Sequence, residues 1–184
     1  RKFYDPAFKS CTKFIAHVAR GQFGFQGADL AELIHWADIV DGAQYPDPQT
    51  AVEMKHPAMQ IAMVIEGTRT KGFVPELIPH LVSKPLAEIA ALPVIAEAFR
   101  NLYDHHVRSI DLIGSRAQLR DGVLYFDLSD QDSEGFNKFI PYYLFPATVY
   151  SVALSQSRER TKIAVGSNPW NPTPKNANLA SICE

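Results

Sequence analysis

Three ionisable side chains near residue 38 have types and spacing that suit a metal ion. In "AELIHWADIVDG", Asp38 and Asp41 continue the apolar stripe of a predicted helix, because each follows an apolar residue by four positions. A carboxylate that faces a protein interior is costly unless it is paired or bound to a metal. His35, three residues before Asp38, lies within reach of a shared ion. An amphipathic helix whose last turn enters solvent explains the pattern equally well.

A second group has the same residue types, but its side chains do not share one face of a helix. It consists of the consecutive residues Asp104, His105 and His106. The helix predicted from Pro93 onward has an apolar stripe that contains His106, whereas Asp104 belongs to the charged face. Successive helical residues point about 100° apart, so three in a row cannot converge on one pair of metals. We therefore expect Asp104 to face solvent and His106 to pack in a core or an interface.

Basic and polar residues near the end of the chain could contact a phosphate group. Arg158 and Arg160 lie on a predicted turn, and their planar guanidinium groups suit phosphate oxygens, although solvated turn residues would look the same. Asn168 and Trp170 follow in a polar loop. Trp170 could stack on a base or pack among the neighbouring prolines.

The predicted elements divide the chain into a helical part and a part with strands. Helices are predicted up to about residue 118, and the proline-rich stretch 71–85 is expected to form short helices with sharp corners. A further helix with a proline bend is expected at 137–145. A final helix is expected to begin at Asn176, which would cap its first turn. Strands are predicted at 122–129, 147–157 and 161–167, from β-branched and aromatic residues or from alternation of side chains along the segment. The last two strands are expected to form a hairpin.

Composition is that of an ordinary globular protein. Hydrophobic residues make up 46% of the 184 residues, charged residues make up 21%, and the net charge of −2 gives no global attraction for polyanions. No apolar run approaches the roughly 20 residues of a membrane span, so no membrane partner is expected. Cys11 and Cys183 match no zinc or disulfide pattern, which favours a cytoplasmic protein. The ends, Arg1 and Glu184, suggest a portion of a larger protein.

Two segments resemble the DHH phosphoesterase superfamily, in particular its RecJ-like and oligoribonuclease-like members. "FYDPAFKSCTKFIAHV" is similar to the segment that follows the true Asp-His-His motif, and "AELIHWADIVDG" is similar to a later segment with a metal-binding aspartate. The resemblance implies that Asp38 is a metal ligand. His35 and Asp41, which the helical spacing places near it, are weaker candidates, as groups that hydrogen-bond to the metal ligands. In the superfamily, the true motif follows a buried strand, whereas Asp104 follows a predicted helix.

The last 24 residues resemble the DHH-associated C-terminal domain. In that domain, a strand of the type Lys-x-Ser-x-Arg-Ser leads to a helix and a glycine-rich loop that binds substrate phosphate. Lys162 and Ser167 match the strand, while Ala164 and Gly166 stand where the pattern has serine and arginine. The resemblance implies a substrate-binding role for matched residues and their basic or polar neighbours, namely Arg158, Arg160, Lys162, Ser167 and Asn168.

Together these features predict an α/β fold in three parts. Residues 1–84 would be the helix-rich remainder of a metal-binding α/β domain, 85–118 a helical linker, and 119–184 a small substrate-binding α/β domain with a mixed sheet. The resemblance implies a hydrolase, or exonuclease, that cleaves phosphodiester or phosphomonoester bonds of nucleotides or short single-stranded oligonucleotides. The intact protein would use two Mn²⁺ (or Mg²⁺) ions, and homodimer formation is left open.

The superfamily's early aspartates, its true Asp-His-His motif and its glycine loop are absent from this sequence. We therefore expect residues 1–184 alone to be inactive. The alternative is a nucleotide-binding or nucleic-acid-binding protein with a degenerate DHH fold and no catalysis.

Overall fold

The computed structural model describes residues 3–68, 72–132, 135–157 and 160–182. It has an α/β architecture in which helices come first along the chain and a mixed sheet follows, as predicted. The described helices are α1 (Cys11–Phe23), a 3-10 turn (Ala28–Leu30), α2 (Ala31–Asp41), α3 (Pro48–Val52), α4 (Pro57–Gly67), α5 (Phe73–Ser83), α6 (Leu86–Ala90), α7 (Pro93–Arg116), α8 (Ile140–Leu144) and α9 (Leu179–Ile182). The described strands are β1 (Gln118–Arg120), β2 (Val123–Asp132), β3 (Tyr150–Gln156) and β4 (Thr161–Ser167).

The chain forms two compact units, and the division between them falls inside α7. Unit 1 comprises Arg1–Pro46 and Met54–Leu102, and unit 2 comprises Asp47–Glu53 and Tyr103–Glu184. The predicted domain boundaries at residues 84 and 118 stay a prediction. Among the described helices, none is both long enough and apolar enough to cross a membrane.

Unit 1 has a helical core in which apolar residues recur at helical spacing. Ala58, Ile61 and Val64 lie along one face of α4, so α4 presents a continuous apolar stripe to its neighbours. The other buried members of this core come from α5, α6 and the start of α7, and they are Leu77, Leu86, Ile89 and Ile95.

The expectation of sharp corners between residues 71 and 85 is wrong for α5, which runs unbroken through two prolines. Pro75 lies in the first turn, where a backbone N–H has no helical acceptor in any case. Pro79 lies inside the helix and removes only one further backbone donor. The apolar stripe with buried Leu77 therefore outweighs the cost of Pro79.

Unit 2 contains the sheet, with strand order β1-β2-β3-β4. The β1–β2 and β3–β4 pairs are antiparallel, and β2 and β3 are parallel with α8 between them in the chain. The predicted β3–β4 hairpin is confirmed by the pairing of Tyr150 with Ser167. Strand β1 was not predicted, although Asp121 and Gly122 (φ of 50° and 79°) form the Asp-Gly turn typical of tight hairpins.

Two helices near the end differ from their predicted bounds. α8 is only Ile140–Leu144, because Pro141 fits its first turn. The final helix begins after Asn178, whose Oδ1 lies 3.4 Å from the backbone nitrogen of Ser181, so Asn176 is not its cap. On the sheet, side-chain alternation buries Leu124 and Phe126 on one face and leaves Tyr125 44% exposed on the other.

Candidate functional site

Unit 1 contains a cavity of about 600 Å³ whose walls come from α1, α2 and the segment before α1. Its lining combines cationic, imidazole, carboxylate and aromatic groups with small residues that leave room between the helices. The lining residues are Phe8, Lys13, Ala16, His17, Arg20, Gly21, Ala31, Ile34, His35 and Asp38.

The cavity begins at Ser10, which caps helix α1. Ser10 has extended backbone angles, and its Oγ accepts a hydrogen bond from the backbone N–H of Lys13 at 3.1 Å. Helix α1 then presents Lys13, His17 and Arg20, which are four and three residues apart, on a single face. Because all three line the cavity, the register set by Ser10 determines where these nitrogen atoms lie.

Asp38 of α2 is held from α1 through both carboxylate oxygens. The hydroxyl of Ser10 donates to Oδ1 at 2.9 Å, and the ammonium of Lys13 donates to Oδ2 at 2.6 Å. The Asp38 side chain is only 16% exposed, whereas that of Lys13 is 53% exposed. The hydrogen bond from Lys13 lowers the pKa of Asp38, and this effect exceeds the opposing effect of burial. Asp38 is therefore an anion paired with a cation.

The remaining cavity groups favour an anionic, aromatic ligand. Lys13 and Arg20 carry two positive charges against the one negative charge of Asp38. Arg20 has no ion-pair or hydrogen-bond partner within the described part of the chain. The Phe8 ring lies 5.0 Å from the His17 ring, centroid to centroid, and provides an aromatic surface beside these charges. Phosphate oxygens and a nucleobase have the complementary chemistry.

The three residues predicted for the metal site are only partly brought together. Asp38 faces inward, which is one of the two alternatives that its helical phase leaves open, and His35 is exposed but lines the same cavity. Asp41 is exposed and lies outside the cavity lining, so the prediction that it continues an inward stripe is wrong. The cause is the end of α2 at Asp41, where the last turn enters solvent.

The described residues do not fit a metal centre. Within residues 3–68, 72–132, 135–157 and 160–182, no group of three His, Cys, Asp or Glu side chains could hold a metal ion. At Asp38, an ammonium already lies against Oδ2 and a hydroxyl against Oδ1, and a divalent cation there would be repelled by Lys13. The metal-ligand role of Asp38 implied by the resemblance stays a prediction without support from this geometry.

The Asp-His-His triplet behaves as its helical phase predicts. Asp104 and His105 are exposed, whereas His106 is 5% exposed. His106 Nε2 lies 2.7 Å from the backbone oxygen of Val52, a contact within unit 2 in which the ring N–H donates. Burial lowers the pKa of His106, so the neutral ring that makes this bond is favoured. The triplet packs unit 2 and forms no site.

Among the described residues of unit 2 predicted to bind phosphate, Lys162 and Ser167 do not converge. Arg158 lies outside the described residues, and Arg160, Lys162 and Ser167 are all exposed. Lys162 and Ser167 are five residues apart on β4, so strand alternation places them on opposite faces of the sheet. They cannot hold the same phosphate group together.

Asn168 has a structural role, in place of the predicted substrate contact. It is 2% exposed, and its side-chain amide donates to the backbone oxygen of Thr148 at 2.9 Å. Its Oδ1 accepts from the backbone N–H of Trp170 at 3.0 Å. Trp170 packs edge-to-face on Phe139, with 5.5 Å between the ring centroids, so the aromatic ring stabilises the loop.

Gly166 departs from the family strand pattern for a steric reason visible in unit 2. A Cβ atom at this position would lie 2.6 Å from the hydroxyl oxygen of Tyr142. That hydroxyl also lies 2.8 Å from Ser151 Oγ, on the neighbouring strand. Tyr142 therefore occupies the space beside β4 that a larger side chain would need.

Two of the strongest cavity residues, Lys13 and Arg20, were missed by sequence reasoning. Their signal was present, because a Ser10 cap followed by basic residues seven apart places both on one helical face. Nothing in the sequence shows that this face meets Asp38, since the two partners are 25 residues apart.

The α/β fold has a counterpart among proteins of known structure. The chain is similar to the pGpG-specific phosphodiesterase PggH from Vibrio cholerae, with a TM-score of 0.76 and 18% sequence identity. The match covers 94% of this chain and 62% of the PggH chain, so this chain spans about three fifths of that length. At this identity the likeness shows the fold. No protein-family model matches the sequence, and no curated protein sequence matches it.

Proposed function

We propose that the protein containing this chain is a phosphodiesterase that hydrolyses a short phosphorylated nucleotide, of the size of a dinucleotide. The observation that carries the proposal is the likeness to PggH, which extends over 94% of this chain with a TM-score of 0.76. PggH is a phosphodiesterase specific for pGpG. Fold alone does not determine function, so the proposal also needs a site of suitable chemistry.

The cavity of unit 1 supplies that site. Its volume of about 600 Å³ lies within the range of small-molecule pockets. Lys13 and Arg20 would bind phosphate oxygens, and Phe8 would lie against a base or ribose. His17 and His35 would place their imidazole nitrogens beside the ligand, where they can form hydrogen bonds with it.

The Mn²⁺ or Mg²⁺ pair expected from the family resemblance remains a prediction for the whole protein. The described residues form no metal-binding group of their own. The part assigned to this chain is to bind the phosphate, to orient it and to provide imidazole groups beside it. Homodimer formation likewise stays a prediction.

Hydrolysis of pGpG by the full protein tests the proposal, with release of guanosine monophosphate followed by chromatography. The variant Arg20→Ala should lose about tenfold or more in kcat/KM, because it removes a charged hydrogen-bond donor to phosphate. The matched control is Arg108→Ala, an exposed arginine of α7 outside the cavity, which should leave turnover unchanged. Full activity of Arg20→Ala would exclude the cavity as the substrate site.

A second candidate function is nucleotide binding without hydrolysis. It is favoured by the lack of a metal-binding group among the described residues and by Gly166, which stands where the resembled strand pattern has arginine. Calorimetry with pGpG separates the two functions. Nucleotide binding without hydrolysis is the function if pGpG binds more weakly to Arg20→Ala and the full protein releases no guanosine monophosphate in the presence of Mn²⁺.

A further inference from the structure

Asp38 differs in its surroundings from a carboxylate that is free to ligate a metal. Each of its oxygens already accepts a hydrogen bond, Oδ1 from Ser10 at 2.9 Å and Oδ2 from Lys13 at 2.6 Å. Ser10 is 1% exposed and is also the cap of α1, so it cannot turn away without losing that cap. The carboxylate is thereby fixed to α1 at two points.

Lys13 occupies the position in which a cation would approach Asp38. An ammonium 2.6 Å from Oδ2 neutralises the carboxylate and repels a divalent ion. Only one of the three ammonium protons is needed for this contact, so two remain for another acceptor. Because the Lys13 side chain is 53% exposed and lines the cavity, those donors are accessible to a ligand.

We propose that Lys13 takes the place of a divalent cation at Asp38 and that the α1–α2 cavity binds a phosphate group without a metal. In this arrangement Asp38 is a positioning residue, which holds the Lys13 ammonium toward the cavity. Arg20 supplies the second cationic contact with the same phosphate group. The proposal deepens the proposed function and rests on it only for the choice of a phosphate ester as ligand.

The charge balance of the cavity supports this assignment. Lys13 and Arg20 contribute two positive charges and Asp38 one negative charge, which leaves a net charge of +1 before the imidazoles are counted. A site for Mg²⁺ or Mn²⁺ usually contains several oxygen ligands, among which carboxylates offset the charge of the ion. Among the lining residues, Asp38 is the only carboxylate.

Two binding measurements on the full chain test the proposal. The first titrates inorganic phosphate at low salt in the presence of EDTA and follows the ³¹P NMR line. We expect binding without metal, and about tenfold weaker binding in both Lys13→Met and Arg20→Met, since each loses a charge-assisted hydrogen bond. The matched control is Lys9→Met, because Lys9 is exposed just before α1 and does not line the cavity.

The second measurement titrates Mn²⁺ and follows free ion by electron paramagnetic resonance. We expect Mn²⁺ binding to be equally weak in the parent chain and in Asp38→Asn. Circular dichroism checks that each variant is folded, and Arg20→Met, at an exposed position, keeps the phosphate test available if Lys13→Met unfolds.

Two results would overturn the proposal. One is stoichiometric Mn²⁺ binding that disappears in Asp38→Asn, and the other is phosphate binding that requires Mn²⁺. Neither measurement uses turnover, so failure of the protein to hydrolyse pGpG would contradict the proposed function and leave the metal-free site intact.

Discussion

Two regions of the chain contain the same chemical groups, an aspartate with a basic partner, and only one of them forms a site. In the α1–α2 cluster, defined by Ser10, Lys13 and Asp38, two helices bring donors to one carboxylate. In the α7 triplet, defined by Asp104, His105 and His106, one helix points successive residues in different directions. Side chains that are neighbours in the sequence thus point apart on one helix, whereas side chains on two packed helices can meet.

The two regions also differ in what the buried polar group does. His106 is buried and donates to the backbone of Val52, so its role is to stabilise unit 2. Asp38 is partly buried beside a cavity, so its charge affects a space that a ligand can enter. The comparison therefore predicts effects on stability for the triplet and effects on both stability and binding for the cluster.

The largest effect on stability is expected from His106→Ala. The change creates a cavity and leaves the buried oxygen of Val52 without its donor, which should lower the free energy of unfolding by about 2–4 kcal/mol. Urea denaturation measures the loss, and His105→Ala, exposed on the same helix, is the control with an effect within about 0.5 kcal/mol. Equal losses in both variants would contradict the assigned helical phase.

A smaller loss is expected from Asp38→Ala. The variant removes the acceptor of Ser10, which is buried, and of Lys13, which is half exposed, so we expect a loss of about 1–2 kcal/mol in the free energy of unfolding. Asp41→Ala, in the exposed last turn of α2, is the matched control and should remain within about 0.5 kcal/mol of the parent chain. Urea denaturation measures both losses, and a larger loss in Asp41→Ala than in Asp38→Ala would contradict the prediction.

The dependence of stability on pH should separate the two regions. The folded-state pKa of His106 is lowered from 6.5 by burial, so its contribution is complete above pH 6.5 and declines as pH falls from there. The pKa of Asp38 is lowered from 3.8 by Lys13, so its contribution is complete above pH 3.8 and declines only below it. We expect His106→Gln to lose the fall in unfolding free energy below pH 6.5, and Asp38→Asn to lose the fall below pH 3.8, as measured by urea denaturation across both pH ranges. If both variants lose the same fall, the roles given to His106 and Asp38 are refuted.

Periodicity predicted the parts of the molecule that depend on one element at a time. It predicted the burial of His106 and the β3–β4 hairpin, because helical or strand phase depends on local sequence. The family resemblance led to the α/β class with a mixed sheet, which the structure confirms. These predictions needed no knowledge of distant contacts.

The parts that failed depend on contacts between distant residues or on where an element ends. The Lys13–Asp38 pair joins residues 25 apart, and no local pattern shows it. Asp41 was misjudged because the helix ends there, and helix ends are poorly defined by periodicity. Lys162 and Ser167 matched a family pattern, but their separation by an odd number of residues already excluded a common face.

The smallest effect is expected where the sequence is most conspicuous. Asp104 is exposed on α7 and Asp104→Asn keeps the size of the side chain, so the free energy of unfolding should change by less than about 0.5 kcal/mol. Because Asp104 does not line the cavity, phosphate binding should also be unchanged, as measured by the same ³¹P titration used for Arg20→Met. A tenfold loss of phosphate binding in Asp104→Asn would show that the α7 triplet belongs to the functional site and would reverse the comparison between the two regions.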